Sequence, residues 1–143
     1  MTDLMVDDIR DKAIEVMTEC KRVVFTTIDG SGFPQSRVME SAGLDDDFTT
    51  YFITERTMDK TRQVYANPRI SAYWVCPDSW RNVHIKGTAV ITEDGGLKER
   101  LWRDDLAEYF PEGISDRRFV VMVVKPFMVE YADEVDGKSQ NLI

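Results

Sequence analysis

A small set of basic and hydroxyl side chains offers the most specific chemistry that can be assigned to this sequence. Arginine donates two parallel hydrogen bonds to a phosphate, and lysine adds a compact positive charge. Thr57 is placed to cap a short helix, with Lys60 one turn further along and directed at the same anion. These residue types predict a site for a phosphorylated small molecule. The set comprises Arg37, Thr54, Arg56, Thr57, Lys60 and Arg62.

The distribution of charge also favours a local anion site. The chain has a formal net charge of -8, yet residues 48–92 contain six basic and three acidic side chains. A strand that ends where a helix begins, as in residues 51–60, presents free main-chain N–H groups to a phosphate. A protein that binds nucleic acid would be basic more widely, so we expect no nucleic-acid partner. A solvated helix face with chance segregation of charge remains the alternative interpretation.

Other catalytic groups are scarce. His84 is the only histidine and lies in the middle of a predicted strand with no serine elbow nearby, so a Ser-His-Asp triad is not expected. Cys20 and Cys76 form no CxxC pattern, and we predict small core residues rather than a disulfide framework or zinc ligands. We nominate no catalytic acid or base and no metal site. A phosphate anchor without an acid–base pair indicates that a cofactor supplies the chemistry.

Length and composition fit a single domain spanning residues 1–143. The content of hydrophobic residues is 43% and that of charged residues is 31%, which is ordinary for a soluble globular protein. No apolar run approaches the roughly 20 residues that span a bilayer. The acidic N-terminus lacks the basic flank and apolar core of a signal peptide. We therefore expect a cytoplasmic protein without a membrane partner.

Hydrophobic periodicity predicts mainly β structure with flanking helices. Helical periodicity occurs in residues 3–21, 57–67 and 97–110. Gly87 interrupts the apolar face of its strand and predicts a bulge or a close backbone approach. The antiparallel succession of strands predicts a small six-stranded barrel, closed or nearly closed, with helices packed outside. The predicted strands occupy residues 22–28, 35–41, 48–54, 69–76, 82–92, 119–124 and 127–132.

Four motifs occur in an order and at spacings that resemble the flavin-binding split-barrel family, the superfamily of pyridoxamine 5'-phosphate oxidase. They are SRVME (36–40), YFITERTMDK (51–60), ANPRISAYW (66–74) and RNVHIKGTAVI (81–91). The later stretch LWRDDLAEYFPEG (101–113), followed by FVVMVV and VEYAD, is similar to the short bacterial general-stress-protein branch of that family. The resemblance covers nearly the whole chain from residue 23 to residue 133 and implies a split β-barrel.

This resemblance implies a flavoprotein that is a homodimer of split barrels, with two FMN molecules at the subunit interface and an oxidoreductase activity on a small molecule. By position, Arg37 and Lys60 match residues that contact the phosphate, and Thr54 matches a threonine at the strand end. Asn82 falls where a glutamine or similar residue reaches the flavin, with Arg81 beside it. The predicted cofactor-binding residues are Arg37, Val38, Ile53, Thr54, Thr57, Lys60, Arg81 and Asn82.

Several positions depart from the oxidase pattern. Met58 and Asp59 replace a Ser-Arg pair and Ala42 replaces a lysine, which leaves Arg56 and Thr57 as candidates to compensate. Residues 133–143 have no counterpart to the arginine and histidine that bind substrate in the oxidase, so oxidation of pyridoxamine phosphate itself is not expected. A deazaflavin-dependent reductase, a non-catalytic flavin-binding protein and a cofactor-free dimeric stress protein remain alternatives.

Overall fold

The computed structural model describes residues 3–134, 137–138 and 141–143. Part of the C-terminal segment 133–143 therefore lies outside the described residues. Within them the helices are α1 (Asp3–Glu19), α2 (Asp59–Ala66) and α3 (Gly95–Leu101), followed by short 3-10 segments at Asp104–Glu108 and Gly113–Ser115. None of these helices combines the length and the hydropathy needed to cross a membrane. The strands are β1 (Arg22–Ile28), β2 (Pro34–Leu44), β3 (Thr50–Glu55), β4 (Arg69–Val75), β5 (Asn82–Thr92), β6 (Phe119–Asp133) and β7 (Gly137–Lys138).

The strands form one antiparallel sheet in the order β3-β2-β1-β4-β5-β6-β7. Additional pairing between β3 and β6, from Thr50 opposite Val124 to Glu55 opposite Phe119, closes β1 to β6 into a barrel. Closure pairs the edges that an open sheet would leave exposed. This architecture confirms the predicted six-stranded antiparallel barrel with flanking helices.

The hairpin of β1 and β2 determines where the predicted phosphate-binding arginine lies. In its turn, Asp29 Oδ1 accepts the Phe33 N–H at 2.9 Å. The register places Phe25 opposite Arg37. Because residues alternate between the two faces of a strand, Arg37 shares the inner face with the buried Phe25, whereas Val38 lies on the outer face.

Two apolar clusters hold the barrel and its helices together. Inside the barrel, the rings of Phe25 and Phe52 meet edge to face at 5.0 Å, and the apolar stripe of α1 packs against the same core. Outside the barrel, Leu101 of α3, Leu106 of the following 3-10 segment and Phe110 just beyond it cover β3 and β6. The outer face of β1, β2 and β4 carries exposed residues instead.

The single helix predicted over residues 97–110 is wrong. Asp94 starts α3 by accepting the Leu97 N–H at 2.9 Å, but α3 ends at Leu101 and Arg103 is extended, with φ of -131°. The chain then makes the 3-10 segment Asp104–Glu108. Trp102, which packs on the Phe119 ring at 5.7 Å, occupies the break. Packing of an aromatic side chain on the sheet thus overrides the helical period.

The bulge predicted at Gly87 is confirmed. The register between β5 and β6 shifts between Lys86 and Gly87, and a Cβ at Gly87 would collide with the Lys125 carbonyl oxygen and lie 2.9 Å from Pro126 Cα. The sequence predicts a break between two strands at Pro126, but β6 continues through it. Proline is tolerated there because it faces the bulge, where the ladder is already interrupted.

Candidate functional site

The barrel is split between β2 and β3. In the described structure these strands pair only through Ser41, Gly43 and Leu44 and then diverge. A cavity of about 520 Å³ opens where they separate. It is lined by β2, by β3, by the first turn of α2 and by the chain around the 3-10 segment Asp104–Glu108. Four of the predicted cofactor-binding residues line it, namely Val38, Ile53, Thr54 and Lys60.

On the β2 side of the split, main-chain groups point into the opening. The Ser41 N–H donates to the Lys21 carbonyl at 2.8 Å, which identifies the odd-numbered residues of β2 as those that hydrogen-bond to β1. The N–H and C=O of Val38 therefore point away from β1. Because the pairing with β3 begins only at Ser41, they face the split.

On the β3 side the same reasoning applies to Ile53. The Arg56 N–H donates to the Arg118 carbonyl at 2.8 Å, so the even-numbered residues of β3 hydrogen-bond to β6. The N–H and C=O of Ile53 point the other way, towards β2. Among the described residues, none hydrogen-bonds to the main chain of Val38 or Ile53 across the split. Two unpaired strand edges thus offer donors and acceptors to a ligand.

Lys60 lies in the first turn of α2, half-buried, with its side chain lining the cavity. Within the described structure its ammonium has no carboxylate partner and no hydrogen-bond acceptor. Burial, and next the positive charge of Arg37, lower the pKa of Lys60 below its ordinary value. A half-buried cation beside a second cation favours an anionic ligand, because the anion would relieve both effects.

Arg37 is near enough to Lys60 for its charge to lower the pKa of that lysine, but it does not line the cavity. Its Nη1 donates to Thr27 Oγ1 at 2.8 Å and to the Phe25 carbonyl at 3.2 Å, and its Nη2 donates to Gln63 Oε1 at 3.2 Å. All three acceptors are neutral. Burial lowers the pKa of Arg37, and the charge of Asp59 partly opposes that effect. The guanidinium is therefore held rigidly with its charge unbalanced by a direct ion pair in the described structure.

Asp59, which departs from the oxidase pattern, does not occupy the anion site. Its Oδ1 accepts a hydrogen bond from Arg62 Nη2 at 2.6 Å on the exposed side of α2. The carboxylate and the Arg62 guanidinium therefore balance one another in solvent. Arg62 does not line the cavity. Lys60 and Arg103 do, and because Arg103 forms an ion pair with Glu40, the unpaired positive charge at the cavity comes from Lys60 and the nearby Arg37.

Thr54 lines the cavity and is buried, with its hydroxyl 3.2 Å from that of Thr61. The capping role predicted for Thr57 is wrong. Its hydroxyl donates to Glu55 Oε2 at 2.8 Å, and α2 begins after Met58 without a side-chain cap. The Thr57 hydroxyl thus donates to the carboxylate of Glu55 and does not cap the helix.

Arg56 and Thr57, the candidates to compensate for the missing phosphate contacts, do not line the cavity. Arg56 forms an ion pair with Glu93, and its Nε donates to the Arg117 carbonyl at 2.9 Å. Its charge is therefore balanced within the chain. Thr57 is exposed beside Glu55.

Arg81 and Asn82 lie at the start of β5, away from the cavity of their own chain. Arg81 forms an ion pair with Glu15 of α1 at 3.2 Å. Asn82 Nδ2 donates to the Trp80 carbonyl at 2.7 Å. In the register Asn82 faces Val75, at the end of β4. A single chain therefore does not bring these two residues to Lys60.

One wall of the cavity, formed by the chain after α3, was not predicted as part of the site. It includes Arg103, Leu106 and Tyr109, and Tyr109 is 68% exposed. Arg103 Nη1 lies 3.4 Å from Glu40 of β2, which joins this wall to the barrel. The apolar stripe identifies Leu106 as a packing residue, but only the break after α3 turns this segment towards the cavity.

A second polar cluster lies on the outer face of the sheet. Ser71 Oγ and His84 Nε2 are 2.7 Å apart, and His84 Nδ1 is 4.0 Å from Glu130 Oε1. The ring of Tyr73 meets His84 edge on at 5.5 Å. The sequence did not predict the contact of Ser71 with His84, because it depends on the register of β4 and β5. These residues do not line the cavity at the split.

Comparisons with known proteins identify the family to which this architecture corresponds. The sequence matches the family model described as pyridoxamine 5'-phosphate oxidase like over residues 8–143. General stress protein 26 of Bacillus subtilis is 27% identical over 124 residues, which cover 83% of this chain and 84% of that protein. A Clostridium acetobutylicum protein related to general stress protein 26, of the pyridoxinephosphate oxidase family, has a TM-score of 0.81 at 21% identity; the match covers 94% of this chain and 95% of that chain.

Two further solved structures share the fold under other names. An F420 reductase has a TM-score of 0.65 at 22% identity, over 82% of this chain and 94% of that chain. A heme binding protein from Mycobacterium smegmatis has a TM-score of 0.76 at 17% identity, over 93% of this chain and 57% of that chain. At these identities the likeness concerns the fold alone. The fold therefore accommodates more than one class of ligand.

Proposed function

This chain belongs to the family of pyridoxamine 5'-phosphate oxidase-like proteins, and on that premise we propose that it is an FMN-binding oxidoreductase that acts on a small molecule. The cavity at the split between β2 and β3 is the proposed cofactor site. FMN, when bound, supplies hydride-transfer chemistry, and we assign no catalytic acid or base to the protein. The residues of one chain proposed to hold the cofactor are Arg37, Val38, Ile53, Thr54 and Lys60.

One observation carries this proposal: the half-buried ammonium of Lys60 has no anionic partner in the described structure. Placing two cations within electrostatic reach of each other in a partly desolvated site costs free energy. A phosphate dianion at this end of the cavity would offset that cost. Lys60 would contact it directly, and Arg37, held by Thr27 and Gln63, would add charge beside it.

The main chain at the split suits the planar part of the same cofactor. The pyrimidine edge of an isoalloxazine ring carries alternating hydrogen-bond donors and acceptors. The unpaired N–H and C=O groups of Val38 and Ile53 supply complementary partners from the two diverging strands. The side chains of Val38, Ile53 and Leu106 provide apolar surface beside a ring bound in this way.

We propose that the protein acts as a homodimer with the cofactor at the subunit interface. Val24, Val38, Tyr73 and Val75 are exposed on the outer face of the sheet, and the register places Val24 beside both Val38 and Tyr73. Asn82 borders this apolar patch through Val75. A second copy packed on the patch would account for the separation of Arg81 and Asn82 from the cavity of their own chain. The proposed location of the dimer is the cytoplasm.

A deazaflavin cofactor is less well matched to the rim of the cavity. The tail of coenzyme F420 carries several carboxylates beyond its phosphate. The cavity lining includes the carboxylate of Glu55 and that of Glu40, of which Glu40 is paired with Arg103, and the chain has a formal net charge of -8. Like charges disfavour an extended anionic tail at this position.

Titration of the purified full chain with FMN, riboflavin and coenzyme F420 tests the proposal. We expect FMN to bind most tightly, since riboflavin lacks the phosphate and coenzyme F420 adds the acidic tail. Preferential binding of coenzyme F420 would favour the deazaflavin reductase, and no binding of any of the three would favour a cofactor-free protein. Flavin that binds but is not reduced by NADH or NADPH would contradict the oxidoreductase assignment with these donors.

A further inference from the structure

The two cysteines of the chain come together at one end of the barrel. Cys20 directly follows α1, and its N–H donates to the Val16 carbonyl at 2.8 Å. Cys76 directly follows β4, and its N–H donates to the Arg81 carbonyl at 3.0 Å. Both are free thiols. The last pair of β1 and β4 at this end is Val23 with Trp74, so Cys20 and Cys76 lie three and two residues beyond it, and Cys20 packs against the core cluster that contains Cys76. The sequence places them far apart and predicts two separate core residues, so their proximity is a property of the fold.

The two thiols differ in their access to solvent. Cys20 is half-buried and lines a surface cavity of about 410 Å³. Val75 and Pro77, the sequence neighbours of Cys76, line the same cavity. Cys76 itself is buried and does not line it. A small oxidant therefore reaches Cys20 before the buried Cys76.

We propose that Cys20 and Cys76 form a reversible intrachain disulfide when a hydroperoxide oxidises the protein. The Cys20 thiolate attacks a peroxide oxygen, the O–O bond breaks, and water or an alcohol leaves, so that Cys20 becomes a sulfenic acid. The Cys76 sulfur then attacks the Cys20 sulfur, the S–O bond breaks, and water leaves. The two thiols together lose two protons and two electrons, and the hydroperoxide accepts those two electrons.

The bond would join the end of α1 to the turn that connects β4 and β5. An ion pair between Arg81 of that turn and Glu15 of α1, at 3.2 Å, already links the same two segments. A covalent link across this contact restricts the unfolded chain far more than the folded one. We expect the oxidised protein to melt roughly 5–10 °C higher than the reduced protein.

The electrostatic surroundings of Cys20 determine how fast the reaction runs. Burial raises the pKa of the Cys20 thiol to about 11, and the neighbouring Cys76 thiol and Glu19 contribute to the rise. Only the thiolate attacks a peroxide, so oxidation is slow at neutral pH. Its rate should increase about tenfold for each unit of pH between about 7 and 9, because the thiolate fraction does so.

The experiment treats the full chain with hydrogen peroxide, quenches it with catalase, and alkylates it with a maleimide under denaturing conditions. We expect both thiols to become unreactive together, to reappear after treatment with dithiothreitol, and to yield one Cys20–Cys76 peptide pair by mass spectrometry from monomer-sized protein. Cys20→Ser and Cys76→Ser should each abolish that species. The peptide map of the unmodified sequence needs no variant, so it remains decisive if Cys76→Ser fails to fold.

Three results would overturn the proposal. The first is that both cysteines remain open to alkylation after peroxide treatment at alkaline pH. The second is that the disulfide joins two chains instead of two segments of one chain. The third is that Cys20 accumulates as sulfinic acid at the same rate with and without Cys76. None of these measurements depends on a bound flavin. A result that overturns the disulfide proposal therefore leaves the cofactor proposal standing, and the reverse also holds.

Discussion

Two regions of the barrel carry buried or half-buried cations, and they differ in whether a carboxylate pairs with those cations. At the split, neither Lys60 nor Arg37 has an ion pair in the described structure, and burial, and next the charge of Arg37, lower the pKa of Lys60. At the start of β5, Arg81 pairs with Glu15 at 3.2 Å, and a hydrogen bond with Tyr131 is the main cause that raises its pKa. A cation that is paired with a carboxylate needs no further anion, whereas an unpaired, partly buried cation indicates a place for an anionic ligand.

Removing the guanidinium at the split should give the largest effect. Arg37→Met keeps the alkyl stem but removes the side-chain hydrogen bonds to the Phe25 carbonyl, Thr27 and Gln63. We expect FMN affinity to fall roughly 100-fold and the free energy of unfolding to fall by about 1–3 kcal/mol. Fluorescence titration and urea unfolding measure the two. Arg69→Met, at an exposed arginine of β4, is the control, and unchanged FMN affinity in Arg37→Met would remove the arginine from the site.

A proline in β2 distinguishes the free edge of the split from the paired edge. Val38→Pro removes an N–H that faces the cavity, so we expect FMN and riboflavin affinity to fall alike, by about tenfold. Met39→Pro removes an N–H that pairs with β1, so it should instead destabilise the fold by about 3 kcal/mol. Thermal melts and titrations with both ligands measure this. Equal destabilisation by the two prolines would show that the Val38 edge is not free.

The unbalanced charge of Lys60 predicts a pH dependence of binding. Burial and Arg37 lower the pKa of Lys60 in the free protein below 10.5. A bound phosphate would favour the protonated lysine and raise its pKa again, so binding takes up a proton in this alkaline range. We therefore expect FMN affinity to decrease several-fold as pH rises through the lowered pKa towards 10.5. An identical pH profile in Lys60→Ala would assign the dependence to another group.

At the balanced end of the barrel the expected effect is small. Glu15→Gln removes the carboxylate that pairs with Arg81 near the surface, and such pairs contribute about 0.5–1 kcal/mol. We expect a loss of that size in the free energy of unfolding, with FMN affinity within about twofold of the parent protein. Chemical denaturation and titration measure both. A loss of FMN affinity as large as that of Arg37→Met would erase the distinction between the two ends.

Much of the barrel could be predicted from the sequence because its strands have a strict period of two. Alternation in residues 82–92 and β-branched residues in β1 determine which side chains are buried. For the site, the basic and hydroxyl side chains indicated Thr54 and Lys60, and the family resemblance implied Val38 and Ile53; all four line one cavity. The family resemblance supplied the phosphate roles of Arg37 and Lys60.

The features that the sequence did not reveal depend on contacts between distant segments. The helix break at Trp102 follows from packing on Phe119, and the pairing of Ser71 with His84 follows from strand register. The proximity of Cys20 and Cys76 requires α1 and β4 to end at the same place. Local periodicity contains no information on such distances.

The most direct test of the account compares two basic residues of the same short helix. Lys60 lines the cavity without a partner in the described structure, and Arg62 is exposed and paired with Asp59 at 2.6 Å. We expect Lys60→Ala to weaken FMN roughly 10- to 100-fold while riboflavin affinity stays unchanged, and Arg62→Ala to change neither. Equal weakening of FMN and riboflavin by Lys60→Ala, or an equal effect of Arg62→Ala, would contradict a phosphate site at the split.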